Sequence, residues 1–179
     1  MYSNKQSTRR TFYIYCTLLI YKSVSCKQIC DEFEIQTRAF QKYMKQVKDA
    51  IELLKLPYII RYDYKMKRYE LIELPINMID TSYELTEAQE KELAMIKIYN
   101  YLRQGVKINS NTLYRLYKWD DKTAREFIRN MAYILYQVSH KEYIYFDESS
   151  KSFYLYTAND DYDDYYYEDW INNIYEFKD

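Results

Sequence analysis

Between Gln36 and Lys48 the chain carries Gln36, Thr37, Arg38, Gln41, Lys42, Lys45 and Lys48 with no carboxylate among them. These side chains hydrogen-bond and neutralise rather than transfer protons. An Arg fork matches the two acceptors of guanine, a Gln amide matches the acceptor and donor of adenine, and a Lys ammonium neutralises phosphate. Gln36, Thr37, Arg38, Gln41 and Lys42 are therefore candidates for base-edge contact, and Lys45 and Lys48 for backbone phosphates. A second basic group, Arg61, Lys65, Lys67 and Arg68, suits a minor groove or phosphates, and Arg9 and Arg10 near the N-terminus would extend it. A third, Lys122, Arg125 and Arg129, is interspersed with Asp120, Asp121 and Glu126. Those carboxylates repel phosphates, so the third group reads as a weaker DNA contact or as part of a dimer surface.

Catalytic chemistry finds fewer parts. The single histidine, His140, has no Ser, Cys or Asp at a spacing that would partner it, and reads as a capping or surface residue. Cys16, Cys26 and Cys30 are too few, with one distant His, for a disulfide scaffold or zinc site; Cys26 and Cys30, four apart, read as small core residues. Asp63 and Asp147 stand where hairpin turns are expected and Asp120 and Asp121 where a helix cap is expected, both ordinary structural uses of Asp. One Gly and two Pro in 179 residues leave no Gly-rich phosphate loop or dinucleotide fingerprint. No enzyme, metal or cofactor is expected. With 48% hydrophobic residues, 30% charged, and no apolar run approaching a membrane span, the chain reads as a cytoplasmic globular protein without membrane association. The 25 tyrosines read first as core and surface filler.

The elements that would position these residues emerge from an internal repeat. A shift of 84 aligns residues 14–72 with 98–156 without a gap, apolar on apolar. The segment Tyr62-Asp63-x3-Lys67-x-Tyr69-x-Leu71 becomes Phe146-Asp147-x3-Lys151-x-Phe153-x-Leu155. In the first copy, Phe12, Tyr15, Leu18 and Leu19 at helical spacing make one helix, which Ser23-Val24-Ser25 breaks. Ser25 and Gln28 form a capping box for a short helix with Ile29, Cys30 and Phe33 on one face. A turn near Ile35 leads to a third helix with a Phe40, Met44, Val47, Ile51, Leu54 stripe. After Pro57, two β-rich runs, Tyr58–Tyr62 and Arg68–Ile72, flank a basic hairpin. The second copy predicts a helix over about 86–104, capped by Thr86 and Gln89 and stopped by Gly105, a second helix from Asn109, a third over about 121–138 and a hairpin at 143–156. The fold class expected is mainly α with short β-hairpins, α+β. The expected divisions are 1–74, a connector 75–85, 86–157 and a tail 158–179.

Three helices and a hairpin make the pattern of a winged helix-turn-helix. Residues 9–72 resemble the N-terminal winged helix of the deoxyribose-operon-repressor type and of WYL-domain transcriptional regulators. The resemblance rests on Val24-Ser25-Cys26-Lys27-Gln28-Ile29-Cys30-Asp31-Glu32-Phe33 followed by Thr37-Arg38-Ala39-Phe40, with a wing ending in Tyr69-Glu70-Leu71. Ala39 departs from the family's usual Thr and Tyr43 from its Asp, and a second winged-helix pattern stands where a sensor domain would follow. That tandem arrangement is similar to tandem winged-helix regulators and replication initiators. The resemblance implies a third helix that enters the major groove of double-stranded DNA, with the hairpin beside it.

Charge is distributed accordingly. Residues 12–72 and 96–156 each carry +4 and residues 1–11 carry +3, whereas 73–95 carry −5 and 157–179 carry −7, within a total of −1. Two basic modules are therefore separated and followed by acid. The function expected is sequence-specific double-stranded DNA binding by a transcriptional regulator of a low-GC bacterium, plasmid or phage, as a homodimer on a palindromic site. The alternatives are a replication initiator, or a phage or mobile-element inhibitor, anti-CRISPR-like or a DNA mimic, that binds a host protein through the acidic, tyrosine-rich tail.

Overall fold

The computed structural model describes residues 5–74, 93–139 and 141–158, which divide between two units, Met1–Lys97 and Ile98–Asp179. The Thr86/Gln89 cap, the connector, His140 and the acidic tail lie outside the described residues. Those described form six helices and two three-stranded antiparallel sheets, an α+β fold.

In the first unit the order is α1 (Lys5–Tyr21), β1 (Ser23–Ser25), α2 (Cys26–Phe33), α3 (Thr37–Leu53), β2 (Tyr58–Asp63) and β3 (Arg68–Glu73). From Thr11 to Leu19 α1 buries every residue but Tyr13, because it packs against α3, β1 and β3. The polar groups this traps are satisfied: Thr11 Oγ1 donates to Gln46 Oε1 at 2.8 Å and Thr17 Oγ1 to the Tyr13 carbonyl at 2.9 Å. Helix α3 buries Phe40, Tyr43, Met44, Val47, Ala50 and Ile51, one stripe at helical spacing. Each large apolar member contributes roughly 1.5–3 kcal/mol. Strand β3 lies between β1 and β2, with Val24 opposite Tyr69 and Asp63 opposite Arg68.

The second unit repeats this order at the predicted offset. After α4 (Ala94–Arg103) come β4 (Ile108–Asn109), α5 (Ser110–Tyr117), α6 (Asp121–Val138), β5 (Glu142–Asp147) and β6 (Ser152–Thr157). Ile108 pairs Phe153 as Val24 pairs Tyr69, 84 residues earlier in both strands. Gly105 ends α4 with φ +79°; its N–H bonds the Leu102 carbonyl and the Val106 N–H that of Tyr101, the left-handed helix stop. The shared Asp-x3-Lys motif has a physical cause. Asp63 Oδ1 accepts the Lys65 and Met66 N–H groups and Asp147 Oδ1 that of Ser149, while Lys67 and Lys151 take the left-handed conformation that returns the chain.

Several expectations are corrected by packing. Ser23–Ser25 does more than break a helix; it forms the strand β1. Leu54 is a half-buried cap residue rather than a stripe member, whereas Tyr43 joins the core face. Cys26 and Cys30 are both only partly buried, and the core thiol is Cys16.

Candidate nucleic-acid interface

The candidate site is built on α2, the turn after it, and α3. Ser25 caps α2 by accepting the Gln28 N–H at 3.1 Å, and Ile29 anchors the helix in the core. Glu34 adopts the left-handed conformation, and the Cys30 carbonyl accepts both its N–H and that of Ile35, the latter at 3.0 Å. The chain thereby turns straight into α3, whose N-cap residue Gln36 makes no side-chain cap bond. With the stripe from Phe40 to Ile51 inward, Gln36, Thr37, Arg38, Gln41, Lys42, Lys45 and Lys48 are all exposed. The carboxylate-free stretch 36–48 is therefore present as one surface of one helix, which the exposed Asp49 and Glu52 follow in the last turns of α3. Lys48 Nζ lies 5.5 Å from the centre of the Tyr69 ring, tying the face to the sheet.

The β2–β3 hairpin holds the second group. Lys65 and Lys67 stand exposed at its tip with Tyr64 and Met66. Arg61 and Arg68 share one face of the sheet, where both meet Glu70: Arg68 Nη2 lies 3.1 Å from Oε1 and Arg61 Nη2 lies 3.6 Å from Oε2. Sequence reasoning missed Glu70 as a neutralising residue. Its signal was the cross-strand register, which sets Arg61 opposite Glu70 and puts Arg68 two residues away on the same face. Near the N-terminus, Arg9 is exposed. Arg10 is half-buried: its guanidinium lies over the Phe33 and Tyr43 rings at 5.6 and 5.9 Å and donates to the Tyr43 hydroxyl at 3.3 Å. Arg10 thus holds α1 against α2 and α3.

In the second unit the equivalent cations are largely compensated. Asp120 caps α6 by accepting the Thr123 N–H at 2.7 Å; the Thr123 hydroxyl and amide hold its carboxyl below the usual carboxylate range. Asp121 accepts from the Ser110 hydroxyl and from Arg125 Nε at 2.7 Å, and both lower it in that order. Arg125 also lies over the Phe146 ring at 5.4 Å. Lys122 is exposed and Arg129 half-buried on the same helix. In the hairpin, Lys107 pairs Asp147 at 3.0 Å and Lys151 pairs Glu148. The Ser149 and Ser150 hydroxyls and Lys107 hold Asp147 well below the usual range, so it stays a carboxylate near neutral pH.

The sequence-selected residues thus fall on the α3 face and the hairpin of the first unit, on α1, where Arg10 is turned into the packing, and on a counterpart in the second unit in which Arg125 is paired and Lys122 is exposed. Comparison with protein-family models, curated proteins and solved structures gives no match.

Proposed function

We propose that the chain is a sequence-specific double-stranded DNA-binding protein, a transcriptional regulator built from two winged helix-turn-helix units, in which the first unit reads the sequence. One observation carries this reading: the exposed face of α3 as far as Lys48, following a tight turn from α2, holds Gln36, Thr37, Arg38, Gln41, Lys42, Lys45 and Lys48 without a carboxylate, and the exposed Asp49 and Glu52 come only in its last turns. A helix of that length presented beside a hairpin suits a major groove, with the Lys65/Lys67 tip reaching adjacent backbone. The compensated charges of the second unit favour a supporting role for it, such as weaker phosphate contact. Measurement of binding by fluorescence anisotropy tests the division of labour. Arg38→Ala is expected to cost about 1–3 kcal/mol on the preferred site and relax one base preference. Lys65→Ala is expected to weaken all sequences evenly and reduce the salt slope by about one. Equal effects of both variants on specific and random duplexes would refute base reading by α3.

A further inference from the structure

We propose that Cys26 and Cys30 form a reversible disulfide that displaces the start of α3 and so weakens DNA binding. The inference rests on the DNA reading above for its last consequence only. The two sulfurs lie 3.6 Å apart on the same face of α2, and both residues are partly accessible to solvent. Four residues apart on a helix, their Cα atoms fall within the range that a disulfide spans, and closure to about 2.05 Å needs a movement of roughly 1.5 Å.

The surroundings decide which end moves. Cys26 follows Ser25, which pairs with Arg68 in the sheet and caps α2, so that end is held. Cys30 sits at the turn. Its carbonyl accepts the Glu34 and Ile35 N–H groups that turn the chain into α3. Drawing the Cys30 sulfur toward Cys26 shifts the Cys30 backbone and so disturbs the turn that sets Gln36, Thr37 and Arg38. The second unit has Ser110 and Tyr114 at the equivalent positions, so the thiol pair belongs only to the unit with the basic start of α3.

Hydrogen peroxide supplies the oxidising equivalent. Burial and the adjoining Cys26 thiol push the Cys30 thiol up, so the first attack falls to Cys26. Its sulfur takes one peroxide oxygen as the O–O bond breaks, giving a sulfenic acid and one water. The Cys30 sulfur then attacks the Cys26 sulfur, forming the S–S bond and releasing the second water. A dithiol reverses this by exchange, returning two thiols and leaving its own disulfide.

The test treats the reduced full-length chain with hydrogen peroxide and follows thiols, amide exchange and duplex affinity together. The expected result is loss of two thiols of three, a Cys26–Cys30 link in peptide mass mapping, and faster hydrogen exchange at the Glu34 and Ile35 amides. Duplex affinity is expected to fall about tenfold, restored by dithiothreitol. Cys26→Ser, which keeps Cys30 and the turn bonds to its carbonyl, is expected to bind duplex equally with and without peroxide. Retention of both thiols, or linkage through Cys16 or between chains, overturns the proposal. So does a Cys26–Cys30 link that leaves the two amides unchanged. If the reduced chain binds no duplex, the DNA reading fails alone, because the thiol and exchange measurements still decide the disulfide and its coupling to the turn.

Discussion

Glu70 restrains the hairpin's positive charge, so removing its charge should strengthen DNA binding. Its carboxylate meets Arg68 at 3.1 Å and Arg61 at 3.6 Å. The two arginine side chains are 40% and 68% exposed, and at that exposure each pair contributes between zero and about 1 kcal/mol, so Glu70→Gln should leave folding nearly unchanged. A phosphate accepted by either guanidinium would sit about 7 Å from the carboxylate. Repulsion there is about 0.6 kcal/mol in water and about 2.4 kcal/mol at the effective dielectric constant of about 20 beside a protein surface, which salt at about 0.1 M roughly halves over that distance. The expected gain is therefore about 1 kcal/mol, about fivefold in affinity, with a log–log salt slope steeper by about 0.9 if one more phosphate is neutralised. Fluorescence anisotropy across a salt series from about 50 to about 200 mM measures both. Glu52→Gln, on the last turn of α3, changes net charge equally and should give a smaller effect. Weaker or unchanged binding by Glu70→Gln at every salt, or an equal gain from Glu52→Gln, would refute the reasoning.

Two further outcomes concern stability. Asp147 is held below its ordinary range in the folded state, so its contribution is present above the unfolded value near pH 4 and lost as pH falls below it. Trp119 stacks on Tyr117 in the second unit, so its fluorescence, measured in a Trp170→Phe background, should report this loss, and Asp147→Asn should flatten the acid dependence. Identical acid profiles would exclude the Asp147 network as the cause. Glu34 and Lys118 occupy equivalent left-handed positions after α2 and α5, with φ of 50° and 59°, a conformation costing a non-glycine residue about 1 kcal/mol. Glu34→Gly and Lys118→Gly should each raise stability by about that amount in chemical denaturation, and a loss of stability would contradict the assignment.

Elements with a strong local code were legible. The 84-residue offset, the Ser25 cap, the Gly105 stop and the limits of α6 all appear as read, because caps, stops and apolar stripes are short-range signals. Charge partnership was not legible for the opposite reason. The Arg61 and Arg68 contacts with Glu70 follow from strand register, and the use of Arg10 to bridge Phe33 and Tyr43 follows from how three helices pack. The strand β1 escaped notice because a three-residue run is too short for its alternation to stand out, and its pairing partner lies more than 40 residues on. The turn near Ile35 and both hairpin turns were legible, but not the residues that reverse the chain there, since Glu34, Lys67 and Lys151, and Lys118 after α5, take the left-handed conformation in a chain with a single glycine. The exposed face of α3 was legible as a pattern of residue types around a buried stripe, and the fold adds that these residues form one surface.

The most direct test of reading by α3 is selection from a random duplex library by the reduced full-length chain at low salt, followed by sequencing of retained DNA. The result predicted is one enriched motif that changes at defined positions when Arg38→Ala or Gln41→Ala is used, while Lys65→Ala retains the motif at lower yield. Failure to retain duplex, or an enriched motif indifferent to both α3 substitutions, would contradict it.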